Sequence, residues 1–297
     1  MNELKTVLIA SDGSERASVA VRLAGSIEWP METRLEVLEV LVPAYQATDL
    51  PVESRSILER DERERIDADL ALARSRLMRA APRTETAMRR GRPATEIIDE
   101  AEWIGADLII AGSRGYGPVE TMILGSTVAE VVDRARCPVL VARLPQMRRF
   151  LFADDGSASA ALALKAVSLW PIFKGLPAHT VSVAPVPAYT GLGPTVHEGA
   201  ARAYAENIDS LRVGHEAIAS TAATALRHAG FSADHEVRCG DPAHEIVRAA
   251  FDSGSDIIVI GSRGQSGVDR IILGSVARNV LTHAPMSVLI VHRLRTS

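Results

Sequence analysis

Short apolar runs alternate along this chain with longer stretches whose apolar positions recur every three or four residues. Val7–Ala10, 34–42 (RLEVLEVLV), 107–112 (DLIIAG) and 138–142 (PVLVA) read as strands, and 84–90 (TETAMRR) is a weaker strand candidate. Between them, 14–27, the charged stretch 53–81 and 93–104 (PATEIIDEAEWI) show helical spacing, with Pro93 in the first turn of the last. Short all-apolar strands belong to parallel sheets covered on both faces. Strand alternating with helix implies right-handed crossovers and a doubly wound α/β sheet. Ligands of such sheets sit outside the carboxyl ends of the strands, at the switch point.

The pattern then repeats in order. VLIASDGSERA at 7–17 matches FLFADDGSASA at 150–160, GRPATEII at 91–98 matches GDPAHEIV at 240–247, and GADLIIAGSRG at 105–115 matches GSDIIVIGSRG at 254–264. PVLVAR at 138–143 matches SVLIVH at 287–292. A repeat this long is a duplicated domain rather than a solenoid. The expected domains are 1–145 and 146–297, each an open parallel five-stranded sheet with helices on both faces, Rossmann-like in layout. The segments 43–60 and 185–200 differ most between the copies, are rich in Pro and Gly, and are expected to cover the clefts as lids.

Composition removes several function classes. The 297 residues carry a formal charge of −4, so no basic field marks a nucleic-acid binder. No run reaches the roughly 18 apolar residues of a membrane span, and the first residues do not read as a signal peptide. Two cysteines without a CxxC exclude a disulfide framework and argue against a zinc site. A reducing cytoplasmic setting is expected. Cys239 is read as a buried structural thiol rather than a redox-sensitive one, and His179, His197 and His215 as surface residues.

Candidate chemistry lies in the glycines. Gly112 and Gly261 follow an apolar strand; Gly115 and Gly264 come three residues later; nine residues then separate each from Gly125-Ser126 and Gly274-Ser275, which open helices. Glycine lets a backbone approach a ligand closely, and a helix start offers free N–H groups to an anion. Turn chemistry and simple N-capping explain the same residues without a ligand. Arg114 and Arg263, between the glycines, suit a phosphate or are exposed loop cations. Asp12 and Asp155, after the first strand of each copy, suit a ligand or its metal, or cap a helix. Neither a P-loop GxxxxGK[ST] nor a GxGxxG opening the first helix occurs.

The G-x2-G-x9-G-[ST] spacing, the Asp after the first strand and the terminal PVLVA-type strand together resemble the universal stress protein family, over nearly the whole chain and in tandem. The resemblance implies the ATP-binding branch, with ATP, with or without Mg2+, as ligand. It places Asp12 and Val40 at the adenosine pocket, Gly112 and Gly115 along ribose and phosphates, and Gly125, Ser126 and Thr127 at the phosphate-binding helix start. In the second copy Asp155, Gly261, Gly264, Gly274, Ser275 and Val276 take those places, and the counterpart of Val40 falls near Ala184. The resemblance also implies pseudo-twofold pairing of the two halves through strands 138–143 and 287–292, and a homodimer. The expected function is a nucleotide-dependent regulator in the stress response, without assigned catalytic or metal-ligating residues. Slow ATP hydrolysis and a nucleotide-free scaffold are the alternatives.

Overall fold

The computed structural model describes residues 4–14, 18–43, 51–113, 124–185, 198–264 and 273–292. The first half runs β1 (Thr6–Ser11), α1 (Ser18–Gly25), β2 (Arg34–Leu41), α2 (Val52–Leu77), β3 (Arg83–Arg90), α3 (Pro93–Trp103), β4 (Leu108–Gly112), α4 (Ser126–Arg134) and β5 (Val139–Ala142). The second runs β6 (Phe150–Ala153), α5 (Ala158–Leu169), β7 (Ala178–Pro185), α6 (Glu198–His228), β8 (Ala233–Gly240), α7 (Pro242–Asp252), β9 (Ile257–Gly261), α8 (Ser275–His283) and β10 (Ser287–Val291).

The two five-stranded sheets join edge to edge, through the strands expected to pair, into one ten-stranded sheet in the order β3-β2-β1-β4-β5-β10-β9-β6-β7-β8. Every neighbouring pair is parallel except β5 and β10, which pair antiparallel with Val139, Leu140 and Val141 opposite Ile290, Leu289 and Val288. Two edge strands that are apolar on both faces cover one another there. Ser287 Oγ accepts from the N–H groups of Arg143 and Leu144 at 3.1 and 3.2 Å, and the Arg143 guanidinium donates to the carbonyls of Leu281 and Met286 in the other half. The halves are antiparallel, so the carboxyl ends of their strands point in opposite directions.

The central strands are buried along their whole length, as their uninterrupted apolar sequences require. One apolar layer lies under α1, α2, α5 and α6, the other under α3, α4, α7 and α8. Helix α2 contributes Ile66, Leu70, Ala73 and Leu77 and is otherwise highly charged. Helix α6 contributes Ala219, Ala222, Ala223 and Leu226. Phe150 meets Phe173 and Phe231 edge-on at 5.1 and 5.6 Å. The repeated aspartates pin the far end of the sheet: Asp107 accepts from the Lys5 and Thr6 N–H groups, and Asp256 from that of Arg148. Residues 52–60 and 198–200, expected in lids, belong to α2 and α6, whereas 44–50 and 186–197 lie outside the described residues.

Strand β2, read from sequence as apolar, buries two carboxylates. Glu36 is 3% exposed and Glu39 1% exposed. Glu36 lies against the equally buried Glu100 of α3, with Arg34 2.5 Å from Glu36 and Arg89 paired to Glu100. Burial, then the neighbouring Glu100, raise the Glu36 carboxyl from 4.5 to about 7 despite Arg34. The folded chain therefore holds this proton to higher pH than the unfolded chain. Its stabilising contribution is full below about pH 4.5 and is lost as pH rises through about 7. Glu36→Gln, which keeps a donor toward Glu100 without the charge, is expected to melt about 2–4 °C higher than the parent at pH 8, the equivalent of about 1 kcal/mol in a chain of this size. The two should coincide at pH 4.5. Parallel melting curves across that range would show that the pair does not share a proton.

Candidate functional site

The switch points fall between β1 and β4 in the first half and between β6 and β9 in the second. At each, the strand gives way to an Asp-Gly-Ser turn. Gly13 and Gly156 take φ of 73° and 74°, a region that side-chain-bearing residues enter at a cost. Asp12 Oδ1 accepts from the Ser14 N–H and Asp155 Oδ1 from the Ser157 N–H, both at 3.0 Å. The local sequence thus fixes each aspartate at the mouth of its turn.

The repeated glycines build a frame around these turns. The Gly274 N–H donates to the Ser262 carbonyl at 2.8 Å, and the Gly125 N–H to that of Ser113 at 3.0 Å. Ser157 and Ser159 both bind the Arg263 carbonyl from the start of α5. A side chain on Gly261 would meet the Ser159 and Ala160 backbone at 2.8–2.9 Å, so this glycine serves close packing of strand end against helix. At Gly264 a Cβ would meet only Asp155 Oδ2, at 2.8 Å. The two glycines of one motif therefore do different work: one seats a helix, the other brings the loop over a carboxylate.

Helices α4 and α8 begin after Gly125 and Gly274, both extended, and neither has a side-chain cap. By contrast α5 is capped by Ser157 and α7 by Asp241. The first-turn N–H groups of α4 and α8 consequently remain open to a ligand or water.

In the second half a cavity of about 320 Å3 gathers Asp155, Gly261, Arg263, Gly264, Gly274, Ser275 and Val276. Val181, Val183, Ile246 and Ile260 add an apolar wall, and Pro242 and His215 close it. In the first half a cavity of about 240 Å3 is lined by Asp12, Val40, Gly112 and Thr127, with Ile97, Pro93 and Val128. Gly125 and Ser126 stand at the adjoining helix start rather than in the described lining. Arg114 and Gly115 lie outside the described residues. The sheet register corrects one expected match: Ala10 faces Leu38 and Ala153 faces Val181, so Val183, not Ala184, occupies the place of Val40.

The polar walls differ. In the first cleft Arg65 of α2 lies 2.7 Å from Glu39 and 2.8 Å from Glu62, and pairs with Asp69. Burial raises the Glu39 carboxyl to about 7, against the pull of Arg65. Beside the second cleft the buried Ser182 Oγ lies 2.6 Å from the Asp154 carbonyl, to which it donates, and 2.8 Å from Nδ1 of the lining residue His215. An Nδ1–H tautomer of His215 completes that chain. Burial lowers the His215 pKa and keeps the ring neutral near pH 7.

Several lining residues escaped the sequence reading. Pro93 and Ile97 match Pro242 and Ile246, inside a repeated motif that was visible but unassigned. Glu39, Glu62 and Arg65 have no counterparts of like charge in the second cleft's lining, and no repeat could flag them. His215 is a cleft residue, and His179 is held between Asp234 and Glu236 at 2.6 and 3.0 Å, so neither is a free surface histidine; His197 is outside the described residues. Cys239 is next to last in the outermost strand β8 and is exposed; Cys137 is the buried thiol. Among the described residues no three His, Cys, Asp or Glu are grouped to hold a metal ion.

The model of the Universal stress protein family matches residues 3–143 and again 147–292. A universal stress protein of Thermus aquaticus is 34% identical over 139 residues, covering 47% of this chain and 98% of that protein. One from Synechocystis is 25% identical over 289 residues, 96% of this chain and 88% of that one. The crystal structure of a universal stress protein from Archaeoglobus fulgidus superposes with a TM-score of 0.66 at 21% identity, covering 97% of this chain and 98% of that one; it shares the tandem fold.

The two glycines of the second loop offer a direct check. Gly261→Ala is expected to destabilise the chain by about 1–3 kcal/mol, since backbone must move. Gly264→Ala should cost under about 1 kcal/mol, because only the Asp155 carboxylate must turn aside. Chemical denaturation measures both, and equal costs would contradict the assigned division of labour.

Proposed function

The chain belongs to the universal stress protein family, whose domain it matches twice, and from that premise we propose that it is an adenine-nucleotide-binding regulator with one nucleotide cleft in each half. The domains are proposed as 1–145 and 146–297. The observation that carries the reading is the second cleft: an apolar slot of Val181, Val183, Ile246 and Ile260 abuts the uncapped start of α8 with Arg263 alongside. A flat aromatic base joined to an anion suits such a site, because the slot removes apolar surface from water while the helix start and the guanidinium receive charge.

On this reading Gly274, Ser275 and Val276 present backbone N–H groups to phosphate, and Gly264 lets the loop lie close. Gly125, Ser126 and Thr127 do so in the first half, with Arg114 and Gly115 as the loop partners. Asp12 and Asp155, one from each Asp-Gly-Ser turn, face the ligand. ATP is the proposed nucleotide, and magnesium would arrive on its phosphates. The output is a conformational or assembly change, which requires the nucleotide to favour one of two states. We place the protein in the cytoplasm: both cysteines are free, and no described helix is long and apolar enough to cross a membrane. A homodimer would use a surface other than β5 and β10, whose edges are already occupied.

Purified protein should release at least one adenine nucleotide per chain on denaturation, identified by chromatography. The variant Ser126→Asp/Ser275→Asp puts carboxylates where phosphates would sit. Such residues favour helix starts, so its melting temperature should hold or rise while nucleotide is lost. Absence of nucleotide from the parent, even after incubation with ATP and magnesium, would refute the reading.

A further inference from the structure

The two clefts share a frame and differ in one wall. Ser11 faces Glu39 across β1 and β2, and the same register continued from Ala153–Val181 brings Asp154 beside Ser182. Glu39 therefore occupies the place that Ser182 holds in the second half. The Ser182 hydroxyl is committed to Asp154 and His215. Glu39 is not satisfied in this way. Its Oε1 accepts from Arg65, but its Oε2 is buried without a hydrogen-bond partner, in a side chain that lines the cleft. A buried carboxylate oxygen in this position needs a donor, either its own proton or a group on a ligand.

The charges around Glu39 are unbalanced. Helix α2 presents Glu62, Arg65 and Asp69, and the end of β1 presents Asp12. Further along the same face Arg90 of β3 is paired with Glu59 of α2 at 3.0 Å. Arg65 is shared among Glu39, Glu62 and Asp69, so among the described residues this wall is net negative. The second cleft sets Asp154 and Asp155 against Arg263 and a neutral His215.

We propose that the clefts are specialised by charge: the second takes the polyphosphate nucleotide, while the first selects an adenosine ligand with at most one phosphate, held by a hydroxyl or amine that donates to Glu39. The inference rests on the nucleotide-cleft reading above and deepens it. A polyphosphate meets like charge at the first cleft, whereas a nucleoside supplies the missing donor without that repulsion. Because Glu39 loses its proton near pH 7, repulsion of a polyphosphate grows between pH 6 and pH 8. In the second cleft burial likewise raises the Asp154 carboxyl, so the pH change is assigned to the first cleft by its loss in Glu39→Gln.

Calorimetric titration of the full chain with adenosine, AMP and ATP at pH 6 and pH 8 tests this, alongside Glu39→Gln. At pH 8 the parent should bind one ATP tightly, with the remaining site preferring adenosine over ATP at least tenfold. Glu39→Gln should remove that preference, raise ATP affinity at this site at least tenfold and abolish its change between pH 6 and pH 8. If the variant fails to fold, the parent's preference for adenosine over ATP at the remaining site carries the test. Two equal ATP sites at both pH values, unaltered by Glu39→Gln, would overturn the specialisation and leave the nucleotide reading intact. Failure of every adenosine ligand to bind would overturn both.

Discussion

The pairing of β5 with β10 is the contact on which the rest of the molecule depends. Each half ends its sheet on a strand apolar on both faces, and such an edge cannot be left open to water without inviting association. Antiparallel pairing covers both edges at once, merges two cores into two continuous layers, and turns the binding ends of the halves away from each other. Arg143 ties the arrangement to the sites: it follows the strand that receives the first cleft loop, through Ser113 and Ala142, and its guanidinium grips the carbonyl end of α8, whose other end borders the second cleft.

Within that frame, duplication conserved backbone geometry and released side-chain chemistry. The Asp-Gly-Ser turns, the glycine-framed loops and the uncapped helix starts agree in both halves. What the second strand and the long helix bring to the cleft does not: a carboxylate cage around a guanidinium in one half, a serine–histidine chain in the other. Backbone N–H groups can grip an anion whatever its remaining structure, so on the proposed reading the frame sets ligand class and the variable wall sets which member of the class enters.

The fold was legible because its strands are all-apolar runs and its turns carry aspartate and glycine, both strong local signals. Loop glycines were legible as a spacing, but their separate duties were not, since Gly261 serves a helix start and Gly264 a carboxylate only once the chain has folded. Glu36 and Glu39 were hidden by their setting: six apolar or basic neighbours in RLEVLEVL make a strand whatever the other two residues are, and a carboxylate there is ordinarily expected to face solvent. Their burial depends on Glu100, Arg65 and Arg34, of which the first two come from distant helices. Similarly, the position of Val183 follows from strand register, which a sequence offset that shifts between 143 and 149 residues leaves uncertain by a residue.

The same seam has a kinetic consequence. Residues 143–149 join the two pairing strands within one chain, so their meeting is a first-order event whose probability is set by a short tether and not by how much protein a cell holds. Two separate subunits would part on dilution; these tethered halves stay at each other's side. The chain therefore delivers its two unlike clefts in a fixed ratio of one to one, however scarce or abundant it becomes.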